Sequence, residues 1–376
     1  MKRIIPFGGA FRRGLGLGLA VILGLTLTAT LFALIIQQPV WAQKGIRANI
    51  QNSLYVAFGG NCAGANPCYG SIQAAVDAAQ PGDEIRVAAG AYTDISVRQR
   101  ADIVATGVVT QVVYIAKTVT VRGGYTTGNW TTPNPTTNPT TLDARGQGRV
   151  LYITGAISPT IEGLRLTGGN TGELYTGGGA YVISATVVMS GNQVFGNTAL
   201  GEGGGLCFDF ADAILLNNQV YGNSAESDGG GIHLFGGENV TLTGNRIYNN
   251  TAANDGGGAC LAAIPDVTLT GNQVNNNTAE NDGGGLQLSG IDSTLTLTGN
   301  SVYSNTAAND GGGVQLSGAD RATLTNNQVF DNSTGNNGGG LCLSGQKHDL
   351  TGNRIYNNTA PQDGGGCTSS AAMATC

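Results

Sequence analysis

The sequence predicts an all-β fold in which short coils of chain stack on one another, and two regular features carry this prediction. An Asn that precedes x-Val or x-Ile recurs along the 376-residue chain, at Asn192, Asn218, Asn245, Asn272, Asn300, Asn327 and Asn353. A glycine triplet recurs with the same step and opens at Gly177, Gly203, Gly229, Gly256, Gly283, Gly311, Gly338 and Gly364. Successive Asn positions differ by 26, 27, 27, 28, 27 and 26 residues, and a fixed step of this size indicates a stacked repeat.

Each repeat contains short segments in which apolar and polar residues alternate, as in Val267–Thr270 and Leu286–Leu288. This alternation is typical of strands with one buried face. Gly, Asn and Asp lie between the segments and favour turns, because Gly adopts positive φ readily and short polar side chains bond the turn backbone. Three strands and three turns per repeat predict one coil of a parallel β-helix. Neighbouring coils should lie about 4.8 Å apart, and the path should be right-handed, as is the rule for parallel crossovers.

A single coil cannot bury its apolar residues, so stacking must do it. We expect Leu, Val and Ile to form columns inside the tube. The recurring Asn is flanked by Gly at a tight turn, and we expect it to form an internal ladder of side-chain amides bonded from coil to coil. A polar binding stripe would need these Asn on the outer surface, so we interpret them as structural.

The composition fits this fold and narrows the range of partners. Gly contributes 62 residues, while charged residues are 11% and aromatic residues 6% of the chain. Such a Gly excess, with strand alternation and no collagen period, fits a turn-rich solenoid. Beyond residue 42 the chain keeps 18 − 4 = 14 Lys and Arg against 24 Asp and Glu, a net charge of −10. An acidic body disfavours nucleic acid and anionic membranes as partners and tolerates cations, Ca²⁺ among them.

The first 42 residues are interpreted as a targeting segment. Basic residues precede the uncharged, mostly apolar run Gly14–Ile36, and Val40–Ala42 offers a cleavage site before Gln43. The apolar run is long enough to cross a bilayer, so an uncleaved signal anchor, which would attach the chain to a membrane, is the alternative. In both cases we expect the body to be secreted or displayed on the cell surface.

The mature chain is expected to form one domain. Residues 43–54 are predicted to be a lead segment, and residues 55–376 a single β-helix with an N-terminal cap at 55–92 and regular repeats at 160–366. Cys62 and Cys68 lie in a Gly- and Asn-rich loop, and such a pair in an exported protein suggests a local disulfide.

The cap is predicted to contain a short helix followed by a strand. Ser71 resembles an N-cap, and the apolar residues Ile72, Ala75, Val76 and Ala79 recur at helical spacing over about two turns. By alternation, Glu84–Ala88 is expected to be a strand, and Ala89–Tyr92 a turn. Val112–Gly124 is expected to hold two further strands, and Val150–Thr167 to resume the coiling.

The stretch Ser71–Tyr92, which reads SIQAAVDAAQPGDEIRVAAGAY, resembles the cap and first coil of the pectin-lyase-like β-helix superfamily. This resemblance implies a right-handed parallel β-helix whose open end is plugged by the helix, which covers apolar columns and a sheet edge. It implies no single activity, because lyases, esterases, epimerases and non-enzymes share the fold.

The repeats are also similar to those of the chlamydial polymorphic outer-membrane proteins and related surface β-helices. That family pairs Gly-Gly-Ala-(Ile/Leu/Val) with Phe-x-x-Asn. Gly204–Leu206, Gly230–Ile232 and Gly312–Val314 correspond to the first motif, and Val194–Asn197 and Ile247–Asn250 correspond to the second, with Val or Ile in place of Phe. The resemblance covers residues 55–366 and implies an exported surface protein that is often adhesive.

The Thr-, Pro- and Asn-rich segment 126–141 cannot be a central strand and is predicted to be a loop that projects from an early coil. Trp130 near its start has two interpretations. It could be a platform on which a sugar stacks, or it could hold its own loop in place, which is the common role for a loop aromatic.

A column of acidic residues is expected immediately before the Gly triplets, at Glu202, Asp228, Asp255, Asp282, Asp310, Asn337 and Asp363. Like charges about 4.8 Å apart repel, so each carboxylate needs a cation or hydrogen-bond donors nearby. One interpretation is Ca²⁺ bound between coils by Asp228, Asp255, Asp282 and Asp310. The other is that each Asp accepts backbone N–H groups of its own Gly turn.

A second column lies two residues after the triplets, at Tyr181, Cys207, His233, Cys260, Gln287, Gln315 and Cys342. Its neighbours in sequence are apolar, so the column should face outward, where Tyr181, His233, Gln287 and Gln315 are candidate ligand-binding residues. Cys207, His233 and Cys260 lie on consecutive coils, which suggests a metal site. Two coils span about 9.6 Å, however, and no fourth ligand is evident, so exposed or half-buried thiols are the simpler expectation.

Catalytic residues are sparse. A lyase needs a base to abstract a proton and a cation to neutralise the neighbouring carboxylate, but Lys beyond residue 42 is limited to Lys44, Lys117 and Lys347. A glycoside hydrolase needs two opposed acids, and the repeats look nearly uniform. We therefore predict a non-catalytic, exported adhesion module that binds glycan or protein. The alternatives are a polysaccharide-active lyase or hydrolase, using the face near Tyr181–Gln287 or the Trp130 loop, and a plain structural spacer.

Overall fold

The computed structural model describes residues 52–99, 107–172 and 176–369, which form a solenoid of parallel β-coils with one short α-helix near its start. The predicted targeting segment lies outside the described residues, as does the predicted lead up to residue 51. The first strand begins at Ser53, two residues before the predicted domain boundary. Within the described ranges, no helix has the length and apolar character needed to cross a bilayer.

Four ladders of stacked strands make up the walls of the solenoid. Ladder A includes the strands after the Gly triplets; it consists of Val108–Ile115, Arg149–Thr154, Ala180–Ile183, Leu206–Asp209, Ile232–Phe235, Ala259–Ala262, Leu286–Ser289, the first parts of Val314–Thr325 and Leu341–Thr351, and Cys367–Ser369. An additional strand, Ser96–Gln99, pairs antiparallel with the first of these.

Ladder B forms the next wall and shows that the described chain makes about eleven coils. Its strands are Ser53–Val56, Glu84–Ala88, Thr120–Tyr125, Thr160–Glu162, Thr186–Ser190, Asp212–Leu216, Asn239–Thr243, Asp266–Thr270, Thr294–Thr298 and the second parts of Val314–Thr325 and Leu341–Thr351. Cys68–Tyr69 also pairs with the first strand of this ladder.

Ladder C closes the coil on the third side, and a short ladder D lies at the corner before each Gly triplet. Ladder C consists of Gly90–Tyr92, Thr140–Asp143, Leu164–Thr167, Gln193–Phe195, Gln219–Tyr221, Arg246–Tyr248, Gln273–Asn275, Ser301–Tyr303, Gln328–Phe330 and Arg354–Tyr356. Ladder D consists of Thr198–Ala199, Ser224–Ala225, Thr251–Ala252, Thr278–Ala279, Thr306–Ala307 and Ser333–Thr334. The parallel β-helix predicted from the repeat is confirmed. Ladder D was not foreseen, because two residues are too few to show alternation.

Equivalent residues of successive coils stand directly opposite one another. Val240 pairs with Val267 and Val267 with Leu295, while Leu242 pairs with Leu269 two residues along the same strands. These side chains are at most 3% exposed and belong to one apolar core that runs through the tube. The predicted internal columns are therefore present.

The Gly triplets mark the corner at which a side chain has no room. Gly256 has a φ of +65°, and a Cβ there would lie 2.6 Å from the carbonyl oxygen of Ala259. A Cβ on Gly257 would lie 2.4 Å from the backbone of Thr278 on the next coil. The triplet therefore reflects close backbone approach as well as turn conformation.

Two internal Asn ladders run along the corners on either side of ladder C. In the predicted ladder, the side-chain NH₂ of each Asn donates a hydrogen bond to the side-chain oxygen of the Asn on the next coil. Its members are Asn192, Asn218, Asn245, Asn272, Asn300, Asn327 and Asn353. A second ladder contains Asn197, Asn223, Asn250, Asn277, Asn305, Asn332 and Asn358. Both ladders lie inside the tube, as expected for structural Asn.

The outer face of ladder C carries a stack of aromatic rings. Phe195, Tyr221 and Tyr248 stack with centroids 5.1 and 4.9 Å apart, and Tyr303, Phe330 and Tyr356 stack at 4.9 and 5.0 Å. Asn275, which is in register between Tyr248 and Tyr303, interrupts the stack.

The predicted N-terminal cap is present with one difference. The helix spans Ile72–Ala78, and Oγ of Ser71 accepts a hydrogen bond from the backbone of Ala74 at 3.2 Å. The apolar face of the helix belongs to the main core. Cys62 and Cys68 form the expected disulfide. The turn expected at Ala89–Tyr92 is wrong, because Gly90–Tyr92 pairs with Thr140–Leu142 as the first strand of ladder C.

The Thr- and Pro-rich segment forms a loop between Thr120–Tyr125 and Thr140–Asp143. Trp130 pins this loop to the cap. Its Nε1 donates to the carbonyl of Cys62 at 3.2 Å, and its ring contacts Tyr55 with centroids 5.1 Å apart. The structural interpretation of this Trp is therefore supported by its contacts, and sugar stacking on it stays a prediction.

Candidate functional site

A groove of 490 Å³ opens on the outer face of ladder A, over the coils between residues 202 and 289. Its floor is the column that lies two residues after the Gly triplets, including His233, Cys260 and Gln287. One wall is the acidic column, with Glu202, Asp228 and Asp255, and the other is formed by strand ends, with Asp209, Phe210, Phe235, Ala262 and Ser289.

The floor column points away from the main apolar core, as predicted, but it is more buried than expected. Tyr181 is 6% exposed, Cys207 0%, His233 8% and Cys260 4%. Tyr181 and Cys207 pack in a small cluster with Val109 and Tyr152, separate from the main core. The expectation of exposed or half-buried thiols is therefore wrong for Cys207 and Cys260 and holds for Cys342, which is half-buried. The side chains of Cys367 and Cys376 lie outside the part that the structure describes.

His233 lies at the centre of the floor and has ligand-forming groups on both sides. The donor atoms of Cys207, Asp209 and His233 lie within 4.8 Å of one another, and so do those of Asp228, His233 and Cys260. Among the described residues, these are the two such groups. Asp209 is the member that the sequence reasoning missed. It falls at a strand end where the repeats in register with it carry uncharged residues, so a comparison of the repeats position by position could have found it; these residues are Ile183, Phe235, Ala262, Ser289 and Ser317.

Burial keeps the floor residues in their neutral forms. Burial lowers the pKa of His233 below its ordinary value, against the opposing effect of nearby carboxylates, chiefly Asp209. Burial, reinforced by the charge of Asp209, raises the pKa of the Cys207 thiol well above its ordinary value. Burial therefore favours the neutral imidazole of His233 and the neutral thiol of Cys207.

Tyr181 supports the groove from the preceding coil. Its hydroxyl donates to Oδ2 of Asp209 at 2.8 Å, and the guanidinium of Arg149 lies over its ring at 5.3 Å. This predicted ligand-binding residue therefore orients a groove carboxylate, and direct contact between Tyr181 and a ligand stays a prediction.

The acidic column is satisfied by the following coil rather than by its own turn. Oδ1 of Asp228 accepts the backbone N–H of Asp255 at 3.0 Å and the side-chain amide of Asn254 at 2.7 Å. Asp255 and Asp282 accept from the next coil in the same way. The expectation that each Asp accepts hydrogen bonds from its own Gly turn is therefore wrong, because the donors lie on the next coil. Calcium binding by Asp228, Asp255, Asp282 and Asp310 stays a prediction.

Two exposed Phe side chains line the strand-end wall. Phe210 is 62% and Phe235 39% exposed, and their rings meet edge to face with centroids 5.6 Å apart. Large apolar groups on a surface mark contact sites when they line a groove. The apparent uniformity of the repeats does not predict this pair, although later repeats carry only Ala, Ser and Gly at the same positions.

The amide oxygens of two floor residues are left without a partner. Gln287 and Gln315 are 7% and 8% exposed, and neither Oε1 has a hydrogen-bond partner in the described part of the chain. A buried acceptor without a donor is costly. Gln287 lines the groove, so a ligand with a hydroxyl or amide donor would satisfy it.

Comparison with known proteins gives a family and a fold. The model of the family described as "Right handed beta helix region" matches residues 149–360. No curated protein matches the chain. A solved structure titled "Crystal structure of pectate lyase Pel9A" aligns with 17% identity and a TM-score of 0.48, covering 86% of this chain and 79% of that one. The family match spans the coils that carry the groove, while the resemblance to chlamydial repeats stays a prediction.

Proposed function

We propose that this chain, which belongs to the right-handed β-helix family, is an exported, non-catalytic surface module that binds a neutral glycan in the ladder A groove. The observation that carries this proposal is the pairing of Phe210 and Phe235 with hydrogen-bonding groups across one groove. Sugars present apolar C–H faces and hydroxyl edges, so they are bound by aromatic rings together with carboxylate and amide oxygens.

The charge of the groove selects among glycans. Its lining includes Glu202, Asp209, Asp228 and Asp255, and none of the described lining residues is Lys or Arg. An acidic polysaccharide would be repelled unless a cation bridged it. Neutral hydroxyls can donate to these carboxylates and to the unpartnered Gln287, so the groove favours an uncharged saccharide.

Binding to immobilised neutral and acidic polysaccharides, measured by affinity electrophoresis, tests the proposal. Phe210→Ala and Phe235→Ala should each weaken binding about tenfold, since each removes an aromatic contact of about 1.4 kcal/mol. Phe58→Ala is the matched control, because Phe58 is 75% exposed and lies outside the groove. Retention of full affinity by the double variant would contradict the proposal, as would a preference for acidic chains without added cation.

A polysaccharide-active enzyme is the second candidate, because carboxylates from both walls approach His233. Donor atoms of Asp209 and Asp228 each lie within 4.8 Å of this imidazole, and glycoside hydrolysis requires two opposed acids. Release of reducing or unsaturated ends from any bound polysaccharide, abolished by Asp209→Asn, would establish the enzyme and exclude the non-catalytic module.

A further inference from the structure

Three side chains from two neighbouring coils converge at the floor of the groove. Sγ of Cys207 lies 3.7 Å from Oδ1 of Asp209 and 3.8 Å from Nδ1 of His233. In a tetrahedral zinc site with Zn–S about 2.3 Å and Zn–N about 2.0 Å, sulfur and nitrogen are about 3.6 Å apart. The thiol therefore already lies at nearly the distance from the imidazole that a bound ion requires, and all three donor atoms lie within 4.8 Å of one another.

The donors are held in place by the fold. Cys207 and His233 face each other because Leu206–Asp209 and Ile232–Phe235 pair in register. Both side chains are at least nine-tenths buried. The hydroxyl of Tyr181 binds Oδ2 of Asp209, which leaves Oδ1 on the side of the thiol. Supporting hydrogen bonds of this kind orient metal ligands and raise their affinity.

We propose that Cys207, Asp209 and His233 bind one divalent transition-metal ion of the zinc type. Thiolate, imidazole and carboxylate together suit zinc and its neighbours rather than calcium or magnesium, which prefer oxygen ligands. Three protein ligands leave a fourth position for water or for a ligand atom, and two of the three ligands, Asp209 and His233, line the groove. The inference stands on the side-chain geometry and does not rest on glycan binding.

The second group, with Asp228 and Cys260, is the weaker position for the ion. Oδ1 of Asp228 already accepts two hydrogen bonds, from Asp255 and Asn254. Nδ1 of His233 is the nitrogen that faces Cys207. Variants of Cys207 and of Cys260 can therefore distinguish which of the two groups binds the ion.

Cobalt(II) titration of the reduced full chain without saccharide tests the site, since thiolate–cobalt charge transfer gives an absorption band. We expect one cobalt per chain with this band and with the visible spectrum of a four-coordinate ion. Cys207→Ser should abolish the band. Cys342→Ser is the matched control, because Cys342 lies in the same column outside both groups, and it should leave the band unchanged.

A supporting variant separates metal binding from loss of fold. Tyr181→Phe removes only the hydroxyl that holds Asp209, and it should weaken cobalt affinity about 10- to 100-fold while the thiolate band persists at saturation. Far-UV circular dichroism of every variant verifies the β-fold. Absence of a band at saturating cobalt would overturn the proposal. So would a band that survives Cys207→Ser and disappears with Cys260→Ser.

Discussion

The side-chain amide of Asn245 donates to Oδ1 of Asn272, one coil further along the solenoid, at 3.0 Å. The same oxygen accepts the backbone N–H of Asn245 at 2.9 Å, and Nδ2 of Asn272 donates to Leu242 and Asn300. One amide thus makes four hydrogen bonds inside the tube, at a corner where the strands turn and the backbone ladder would otherwise be open.

Replacing Asn272 by Ala should lower the free energy of unfolding by about 3–5 kcal/mol, because several buried backbone and side-chain groups lose their partners together. Asn353→Ala is the control, since Asn353 ends its ladder and is half-buried. The free energy of unfolding should fall clearly less in Asn353→Ala than in Asn272→Ala. Urea unfolding followed by circular dichroism measures both, and equal losses would contradict the ladder as a main source of stability.

Gly257→Ala should be far more damaging than Gly271→Ala. A Cβ at Gly271, which has a φ of +62°, meets nothing within 4 Å, whereas one at Gly257 lies 2.4 Å from the backbone of Thr278. For Gly271→Ala we expect about 1–2 kcal/mol of conformational strain. For Gly257→Ala we expect at least about 3 kcal/mol of overpacking. Thermal melting distinguishes the two, and a milder effect at Gly257 would show that the coils can separate there.

Asn275→Tyr should stabilise the solenoid, because it would join the two aromatic stacks that end at Tyr248 and Tyr303. The new ring would stack on Tyr248 and on Tyr303, and each contact is expected to add about 0.5–1.5 kcal/mol to the free energy of unfolding. Asn275→Leu is the comparison, since it adds apolar area without a ring. The melting temperature should rise more for Tyr than for Leu, and no difference would mean that stacking adds nothing beyond burial.

Asp282→Asn should stabilise the protein at neutral pH and have little effect well below pH 3.8, the ordinary pKa of Asp. Burial, reinforced by the charges of Asp255 and Asp310, raises the pKa of Asp282. A raised carboxyl pKa means that the folded state binds the proton more tightly, so stability is lost as pH rises through that pKa.

The natural sequence already carries the neutral form at an equivalent place, where Asn337 bonds Asp310. We expect a gain of up to about 1 kcal/mol from removing one like charge between neighbouring strands. Melting temperatures of both proteins across the acid range measure it. A gain that is independent of pH would show that ionisation of Asp282 is not its cause.

The sequence determined the solenoid because its information is periodic. A repeat of about 27 residues with alternating strands places like residues opposite one another, and only a parallel stack buries Leu242, Leu269 and Leu297 in one column. The cap helix, the disulfide and the first Asn ladder followed from local patterns of the same kind. Each of these depends on neighbours in the chain or on the step between coils.

Tertiary structure alone decided how deeply the groove residues are buried and which of them meet. The outward direction of Cys207 and His233 followed from alternation, but their burial depends on walls contributed by other segments. Asp209 reaches Cys207 and His233 because it lies at a strand end, and because the hydroxyl of Tyr181 on the neighbouring strand donates to its carboxylate. The repeat specifies where each residue lies along a coil and opposite which residue of the next coil. A site forms where the side chains of neighbouring coils differ from the repeat and contact one another.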